Sequence, residues 1–426
     1  MKRVHLLTIV SFIIGCLMVF AGCKKPALDA PVGLTVNETT LDLTWSEVEG
    51  AEGYTVKING VENKTKQTIW PLDALEEGTY QIYVKAVSVE DGVDDSDWSD
   101  VYVFERAAES GLMYSLTNNN TEYQLTGIGT AKGDIVIADT YRGKPVTKIS
   151  DMALANGGKD VTSVVVGENV TSIGTRAFYN CTMMTSITFK APEKILTMGA
   201  YAFQGCRSLT SIAIPENITS ISNYQFAYCR SLETVTFGSK ITSIGEHSFA
   251  DCDKLNNVVI PDTVTSIGAY AFANNIGMTN VKIGDGVQSI GEYAFLSCTA
   301  LENVTFGTSL ETIAKYAFST CSALKAIALP DSLAIIYDSA FYGCENLETV
   351  DFGSNLADLG GNVFGNTKLT SAEKGLVIVD GWVVSYKGET SSDDTVNVPI
   401  GVVGIADKAF YGTQYMVNLT LPDTVQ

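Results

Sequence analysis

Histidine carries more acid–base chemistry in enzymes than any other side chain, and this chain has only two. His5 belongs to an apolar N-terminal segment, so a Ser-His-Asp or Cys-His mechanism would have to use His247. His247 takes a repeat position that is otherwise held by tyrosine, which is typical of a structural or surface residue. A single usable histidine also excludes a histidine-rich metal site. The sequence therefore predicts no enzyme activity and no metal centre here.

Cysteine is the second residue type whose spacing could do chemistry. Seven of the nine cysteines recur at one position of an internal repeat: Cys181, Cys206, Cys229, Cys252, Cys298, Cys321 and Cys344. Asn275, Thr367 and Thr413 take the same position elsewhere. Metal sites need Cys-x-x-Cys pairs or histidine partners, which the sequence lacks. An odd number cannot pair completely, and a position that accepts Asn and Thr favours buried, free, structural thiols.

Cofactor and polyanion binding have no support in the composition. The chain has 28 Lys and Arg against 48 Asp and Glu, and a basic face is what nucleic-acid binding requires. It contains no phosphate-binding Gly-x-x-x-x-Gly-Lys-Ser/Thr loop and no Gly-x-Gly-x-x-Gly after a strand. The acids fall mainly in turn positions that are expected to be solvated. We therefore expect no cofactor and no nucleic-acid partner.

The elements that position these residues belong to a repeat of 23 residues. Eight phenylalanines recur at that interval without a slip: Phe203, Phe226, Phe249, Phe272, Phe295, Phe318, Phe341 and Phe364. Around each lies the frame Phe-x-x-Cys-x-x-Leu-x-x-Val-x-Phe/Ile, followed by Val-x-x-Ile-Gly. A fixed period in the twenties predicts a solenoid, because one repeat cannot bury its own apolar face.

Within one repeat, residues 232–237 alternate Leu, Val and Phe with polar residues. This predicts a strand of a long parallel sheet that runs along the stack. Ile241 and Ile244 are expected to point into the core. A short helical turn is then predicted from Gly245 to the phenylalanine and cysteine of the next frame. The fold class is therefore mainly β, a solenoid with a parallel sheet and short helical turns.

Stretches such as Ser266-Ile-Gly-Ala-Tyr-Ala-Phe272 and Leu209-Thr-Ser-Ile-Ala-Ile-Pro215 carry a family resemblance. The pattern resembles the BspA-type leucine-rich repeats of bacterial surface proteins, over about residues 112–426. The resemblance implies a surface or secreted protein that takes part in adhesion to host matrix and in coaggregation.

The N-terminus has the pattern of an export signal. Lys2 and Arg3 precede an apolar stretch over residues 6–20, and Phe20-Ala-Gly-Cys23 follows. These four residues resemble a bacterial lipobox, with Phe20 where Leu is usual, and the resemblance implies lipidation of Cys23. The alternatives are simple signal cleavage and an uncleaved anchor. A lipid anchor would place the protein outside the cytoplasm, attached to a bacterial membrane.

A separate domain is predicted between the signal and the repeats. Short alternating segments with turns between them indicate an antiparallel β-sandwich. Trp45, Tyr80 and Asp97-Trp-Ser99 make the segment similar to a fibronectin type III module, which implies a spacer or a weak binding module.

The predicted organisation has seven parts. They are a lipoprotein signal peptide (1–22), a lipidated N-terminus (23–26), a fibronectin type III-like domain (27–106), a linker and cap (107–150), leucine-rich repeats (151–373), an insertion with a hairpin at Asp380-Gly381 (374–404) and a partial repeat (405–426). Because the sequence stops within a repeat, we favour the interpretation that it is a fragment.

Two repeated positions are candidates for ligand binding. One is an aromatic column: Tyr201, Tyr224, Tyr270, Tyr293 and Tyr316. The other is the outward strand face, which includes Asn257, Asn280 and Asn303. Aligned tyrosines could stack against glycans or anchor a protein partner. The alternative is that tyrosine only covers the flank of the solenoid.

The sequence thus predicts a lipid-anchored cell-surface protein that binds an extracellular protein or glycan, with adhesion as its role. Two alternatives stay open. The chain could be a non-catalytic binding module of a larger polysaccharide-processing surface enzyme, or a structural component of the envelope.

Overall fold

A computed structural model describes residues 25–37, 40–75, 78–106, 111–117, 119–155, 158–371, 374–387, 395–413, 416 and 418–425. The chain divides into two compact units, Met1–Ala108 and Glu109–Gln426. The predicted signal peptide and Cys23 lie outside the described residues.

The first unit consists of two antiparallel sheets around one core. The three-stranded sheet contains Thr35–Asn37, Asp42–Thr44 and Ile69–Pro71. The four-stranded sheet contains, in spatial order, Val61–Thr65, Gly53–Ile58, Gly78–Val87 and Tyr102–Arg106. Trp45 is buried at 5% exposure, with its ring edge-on to Tyr54 at 5.3 Å between centroids.

The second unit begins with irregular turns that close the end of the stack. Met113–Thr117 pairs antiparallel with Glu122–Gly127, and from there the pairing is parallel through Lys144–Ile149, Ser172–Ile173 and Thr197–Met198. A second parallel set contains Gly133–Val136, Val161–Val166 and Ser186–Phe189, while Thr140–Tyr141 pairs with the Lys144–Ile149 strand. The antiparallel hairpin thus occupies the edge of the first parallel strand, which is where a solenoid needs a cap.

Each regular repeat, hereafter a rung, contributes two short strands to two parallel rows. The three-residue strands are Ser211–Ala213, Thr234–Thr236, Asn257–Val259, Asn280–Lys282, Asn303–Thr305, Ala326–Ala328 and Thr349–Asp351. The two-residue strands are Ser220–Ile221, Ser243–Ile244, Ser266–Ile267, Ser289–Ile290, Thr312–Ile313, Ile335–Ile336 and Asp358–Leu359, and they form one continuous sheet. Residues at the same repeat position pair with one another, as Val258 does with Val281. The sequence predicts only the sheet of three-residue strands as a parallel sheet.

The segment after each two-residue strand is not a helical turn, so that prediction is wrong. In the rung of Phe249, alternate backbone N–H groups donate to the next rung: His247 to Ala269 (3.0 Å), Phe249 to Ala271 (2.8 Å) and Asp251 to Ala273 (2.9 Å). The residues between them bond within their own turn. His247 and Asp251 have φ of +51° and +58°, which a right-handed helix cannot contain. This segment is therefore a third ladder between rungs.

Helix is scarce throughout the described residues. It consists of three 3₁₀ turns, Gly158–Asp160, Pro192–Lys194 and Lys368–Thr370. Within the same ranges there is no helix whose length and apolarity would suit a membrane span.

A stack of phenylalanine rings fills the centre of the solenoid. Neighbouring rings are nearly parallel, with centroids 4.9–5.8 Å apart and interplanar angles of 4–12°. The members are fully buried: Phe178, Phe203, Phe226, Phe249, Phe272, Phe295, Phe318, Phe341 and Phe364. The offset overlap of parallel rings is favourable beyond the burial of their area.

The repeat cysteines form a second internal ladder, and all seven are buried and free, as predicted. Each thiol donates to a backbone carbonyl of the preceding rung, for example Cys229 Sγ to Phe203 O at 3.2 Å and Cys298 Sγ to Phe272 O at 3.2 Å. Thr367 Oγ1 donates to Phe364 O within its own rung, at 2.7 Å. Asn275, at the same position, instead accepts from the Cys252 N–H through Oδ1 at 2.8 Å. The position therefore takes a small side chain that can form a hydrogen bond, which explains why Thr and Asn can replace Cys.

The stack continues beyond an interruption after Phe364. Gly375–Val379 and Trp382–Lys387 form an antiparallel hairpin whose second strand pairs parallel with Gly404–Ile405. Thr395–Asn397 pairs parallel with Asn418–Thr420. The Asp407 N–H donates to Leu359 O at 2.8 Å, so the ladder between rungs resumes across the insertion. Residues 388–394 of the predicted insertion lie outside the described residues.

Replacing Phe272 by Ala should destabilise the solenoid by about 3–5 kcal/mol, because the ring is fully buried between two neighbours. Phe237→Ala is the matched control, since Phe237 is only half-buried and should cost clearly less. Urea unfolding followed by circular dichroism measures both. Equal losses for the two variants would contradict the central role of the stack.

The seven repeat thiols should resist alkylation in the folded protein. Burial raises the pKa of Cys229 and of Cys298 to about 12, so at pH 8 almost none of either thiol is thiolate. Iodoacetamide followed by peptide mass mapping should find the seven unmodified in buffer and all modified in denaturant without reductant. Two or more disulfides in the denatured sample would show that the ladder is an oxidative crosslink instead.

Candidate functional site

The predicted tyrosines lie on the turn ladder, each at a left-handed backbone position. Tyr201, Tyr224, Tyr270, Tyr293 and Tyr316 have φ between +54° and +59°, and His247 shares the position. Side chains with a Cβ rarely adopt this conformation, and Asn or Gly is what a turn alone favours. Asn362 does take the equivalent position further along. Tyrosine is therefore not explained by the backbone of the turn.

These six side chains form one continuous aromatic row: Tyr201, Tyr224, His247, Tyr270, Tyr293 and Tyr316. Neighbouring centroids are 4.5–5.0 Å apart and the rings are within 13° of parallel. The Arg176 guanidinium carbon lies 4.6 Å from the Tyr201 centroid and extends the row. All six rings are half-buried.

The stacking decides which part of each ring a ligand can reach. Both faces of every ring from Tyr201 to Tyr293 are covered by neighbours in the row. A sugar therefore cannot stack on a ring within this stretch. The row instead offers ring edges and phenol oxygens at the spacing of the rungs.

The electrostatic environment favours the neutral form of three members of the row. Burial, followed by Glu246 and neighbouring tyrosines, raises the pKa of Tyr224, and burial likewise raises the pKa of Tyr293. Burial lowers the pKa of His247, against the opposing effect of Glu246, whose Oε1 lies 3.6 Å from Nε2. The phenols of Tyr224 and Tyr293 are therefore hydrogen-bond donors over the whole physiological pH range.

The three predicted asparagines form a separate ladder on the three-residue strands. Asn280 Nδ2 donates to Asn257 Oδ1 at 2.7 Å, and Asn303 Nδ2 donates to Asn280 Oδ1 at 2.8 Å. Their amides are thus partly engaged with one another on the outward face of the sheet. The structure does not bring them into one cluster with the tyrosines, because the two sets lie on different ladders of the rung.

The sequence did not identify His247 or Arg176 as stacking partners of the tyrosines. His247 occupies the tyrosine position, and this spacing could have identified it as a stacking partner. Arg176 precedes Ala-Phe178 as each tyrosine precedes its own phenylalanine two residues later, so the same frame pointed to it. Within the ranges that the structure describes, no group of three or more His, Cys, Asp or Glu is placed to hold a metal ion.

Solved structures of other bacterial leucine-rich repeat proteins resemble this chain. A leucine-rich repeat protein of Treponema pallidum is 22% identical, covers 52% of this chain and 91% of its own, and has a TM-score of 0.36. A leucine-rich cell-surface protein of Faecalibacterium prausnitzii is 23% identical, with coverages of 74% and 93% and a TM-score of 0.32. One from Bacteroides ovatus is 20% identical, with coverages of 76% and 99% and a TM-score of 0.34. No functionally curated protein matches the sequence.

The sequence profile described as "BspA type Leucine rich repeat region (6 copies)" matches residues 147–279 and 265–375. These matches together span more than half of the chain and include every rung that carries the aromatic row. The chain therefore belongs to the BspA-type leucine-rich repeat family.

Proposed function

We propose that this protein is a lipid-anchored surface protein whose solenoid binds an extracellular protein or glycan ligand in adhesion. The observation that carries the proposal is the aromatic row. Its rings are stacked on one another, at a left-handed backbone position that in other rungs holds Arg176, Ser339 or Lys408. The turn itself does not require tyrosine, so a continuous run of aromatic side chains is more easily explained by a contact than by the scaffold.

The geometry of the row suits an extended ligand. Phenol groups recur about every 4.8 Å, the spacing of paired strands, except where His247 lies between Tyr224 and Tyr270. Tyrosine contributes contact area and a polar end with little loss of conformational freedom, which is why it is frequent at binding surfaces. The ligand would lie along the ring edges, because the faces are occupied.

The first unit serves as a spacer in this proposal. Three- and four-stranded antiparallel sheets around one core, with Trp45 buried inside, fit the fibronectin type III resemblance of the sequence. The basic and apolar N-terminal segment ending in Cys23 supports the anchor. Acyl chains contribute about 0.8 kcal/mol for each buried CH₂, so more than one chain anchors stably.

Replacing Cys23 by Ala should abolish fatty-acid labelling and move the protein out of the membrane fraction. Cells that express each variant are labelled with a clickable palmitate analogue and fractionated. Cys16→Ala is the control, because it changes a cysteine of the same segment and should leave labelling intact. Unchanged labelling of Cys23→Ala would reject the lipid anchor.

Replacing Tyr270, Tyr293 and Tyr316 together by Phe should keep the stack and the melting temperature but weaken ligand binding, since only hydroxyls are lost. The triple Ser variant should also weaken binding and lower the melting temperature, because each lost ring pair contributes about 0.5–1.5 kcal/mol. Binding of the full chain to matrix-protein and glycan arrays is compared with differential scanning calorimetry.

The control for this pair is replacement of Asn257, Asn280 and Asn303 by Ala, which leaves the aromatic row untouched. Full binding by both tyrosine variants together with lost binding by the asparagine variant would move the site to the strand face. Binding that survives all three variants would reject the solenoid surface proposed here.

A further inference from the structure

A groove of about 300 Å³ opens on the turn ladder of the first regular rungs, apart from the aromatic row. Three successive rungs line it. The first contributes Tyr179 and Asn180, the second Gln204, Gly205 and Arg207, and the third Tyr228 and Arg230. Its volume is at the low end for small-molecule sites.

The groove exists because one position lacks a side chain. Gly205 has φ of +76°, and a Cβ built on it would lie 2.2 Å from Asn180 Oδ1. In the next rung the same left-handed position holds Tyr228, with φ of +62° and 41% exposure. Gly205 therefore forms the bottom of the groove, between Asn180 and Tyr228. A residue with a Cβ at position 205 would have to displace Asn180.

The charge of the groove is opposite to that of the protein. The chain has a net charge of −20, and arginine occurs only at positions 3, 106, 142, 176, 207 and 230. Two of these, Arg207 and Arg230, line the groove one rung apart, and both are exposed. Arg230 Nε lies 3.9 Å from Asp253, a distant contact between exposed groups, while no ion pair to Arg207 is present among the described residues.

The next rung marks the end of the positive region. There the positions equivalent to Tyr228 and Arg230 hold Asp251 and Asp253. Burial raises the pKa of Asp251, with Asp253 adding to the effect. An anion in the groove would therefore lie toward Arg207, away from these carboxyl groups.

The lining also indicates what kind of molecule carries the anion. Arginine binds carboxylates through paired N–H donors. Tyrosine rings contact the faces of sugars, and side-chain amides contact their hydroxyls. The groove has no aliphatic side chain in its lining, and its two arginines and two amides make it more polar than the apolar core of a protein interface. A nucleic acid needs an extended basic face, which two arginines in an acidic protein do not provide.

We propose that this groove binds a carboxylated sugar within an acidic glycan. Arg207 and Arg230 donate hydrogen bonds to the carboxylate. Gln204 and Asn180 contact sugar hydroxyls. Tyr179 and Tyr228 lie on either side of the sugar ring. None of the residues that line the groove belongs to the aromatic row. This proposal therefore goes beyond the function given above and can hold or fail without it.

The test uses the full chain and three oligosaccharides, which carry galacturonate, glucuronate or sialic acid. Each is paired with its carboxyl-reduced neutral form, and binding is measured by isothermal titration calorimetry. At least one acidic form should bind, and its neutral form should bind about tenfold more weakly or not at all. Arg207→Gln combined with Arg230→Gln should weaken the acidic form by about tenfold or more.

Arg142→Gln is the matched control, because it removes one exposed arginine outside the groove. It should bind as the wild type does. Circular dichroism confirms that the double Gln variant is folded. Absence of binding by every acidic form, equal binding of neutral forms, or unchanged binding by the double variant would overturn the proposal. The proposal would also be overturned if hexaglutamate peptide or inorganic phosphate bound as tightly as the acidic oligosaccharides, since the groove would then bind any anion.

Discussion

Backbone hydrogen bonds between successive rungs are the constraint on which the rest of the second unit depends. Three ladders of such bonds run through each regular rung: two strand rows and the turn ladder. They hold the 23-residue repeats in step, so each side chain lies over its equivalent one rung away. Residues at the same repeat position therefore pack against one another. This is why the phenylalanine rings stack and why cysteines donate to the carbonyl oxygen of a phenylalanine in the preceding rung.

Much of this could be predicted from the sequence because strict periodicity removes the usual ambiguity of register. The phenylalanine spacing located the core, and the substitution of cysteine by Thr367 indicated a hydrogen-bonding position. The turn ladder could not be predicted, because tyrosine and histidine give no sign of a left-handed backbone. A segment with Ala, Phe and Tyr at these intervals suggests helix until the φ of +54° at Tyr270 is known.

The same register explains why the candidate sites differ from their predicted form. Sequence reasoning identified the tyrosine column but could not show that its rings would cover one another, which leaves edges rather than faces for a ligand. It overlooked the groove at Gly205. That groove depends on the missing side chain of Gly205 and on the different residue types that neighbouring rungs place beside it. In a repeat array, the positions that depart from the consensus are where one rung becomes chemically distinct from the next.

The direction of the ladders also determines how the solenoid responds to force. The bonds between rungs point along the stack, so a pull on its two ends loads the rungs in series and the weakest interface gives way first. One detached rung of 23 residues lengthens from about 5 Å of stack to roughly 75–80 Å of extended chain. No covalent crosslink joins the repeat cysteines to limit that extension. Under tension the array would therefore lengthen stepwise, as single rungs unfold and dissipate mechanical work while the remaining rungs stay folded.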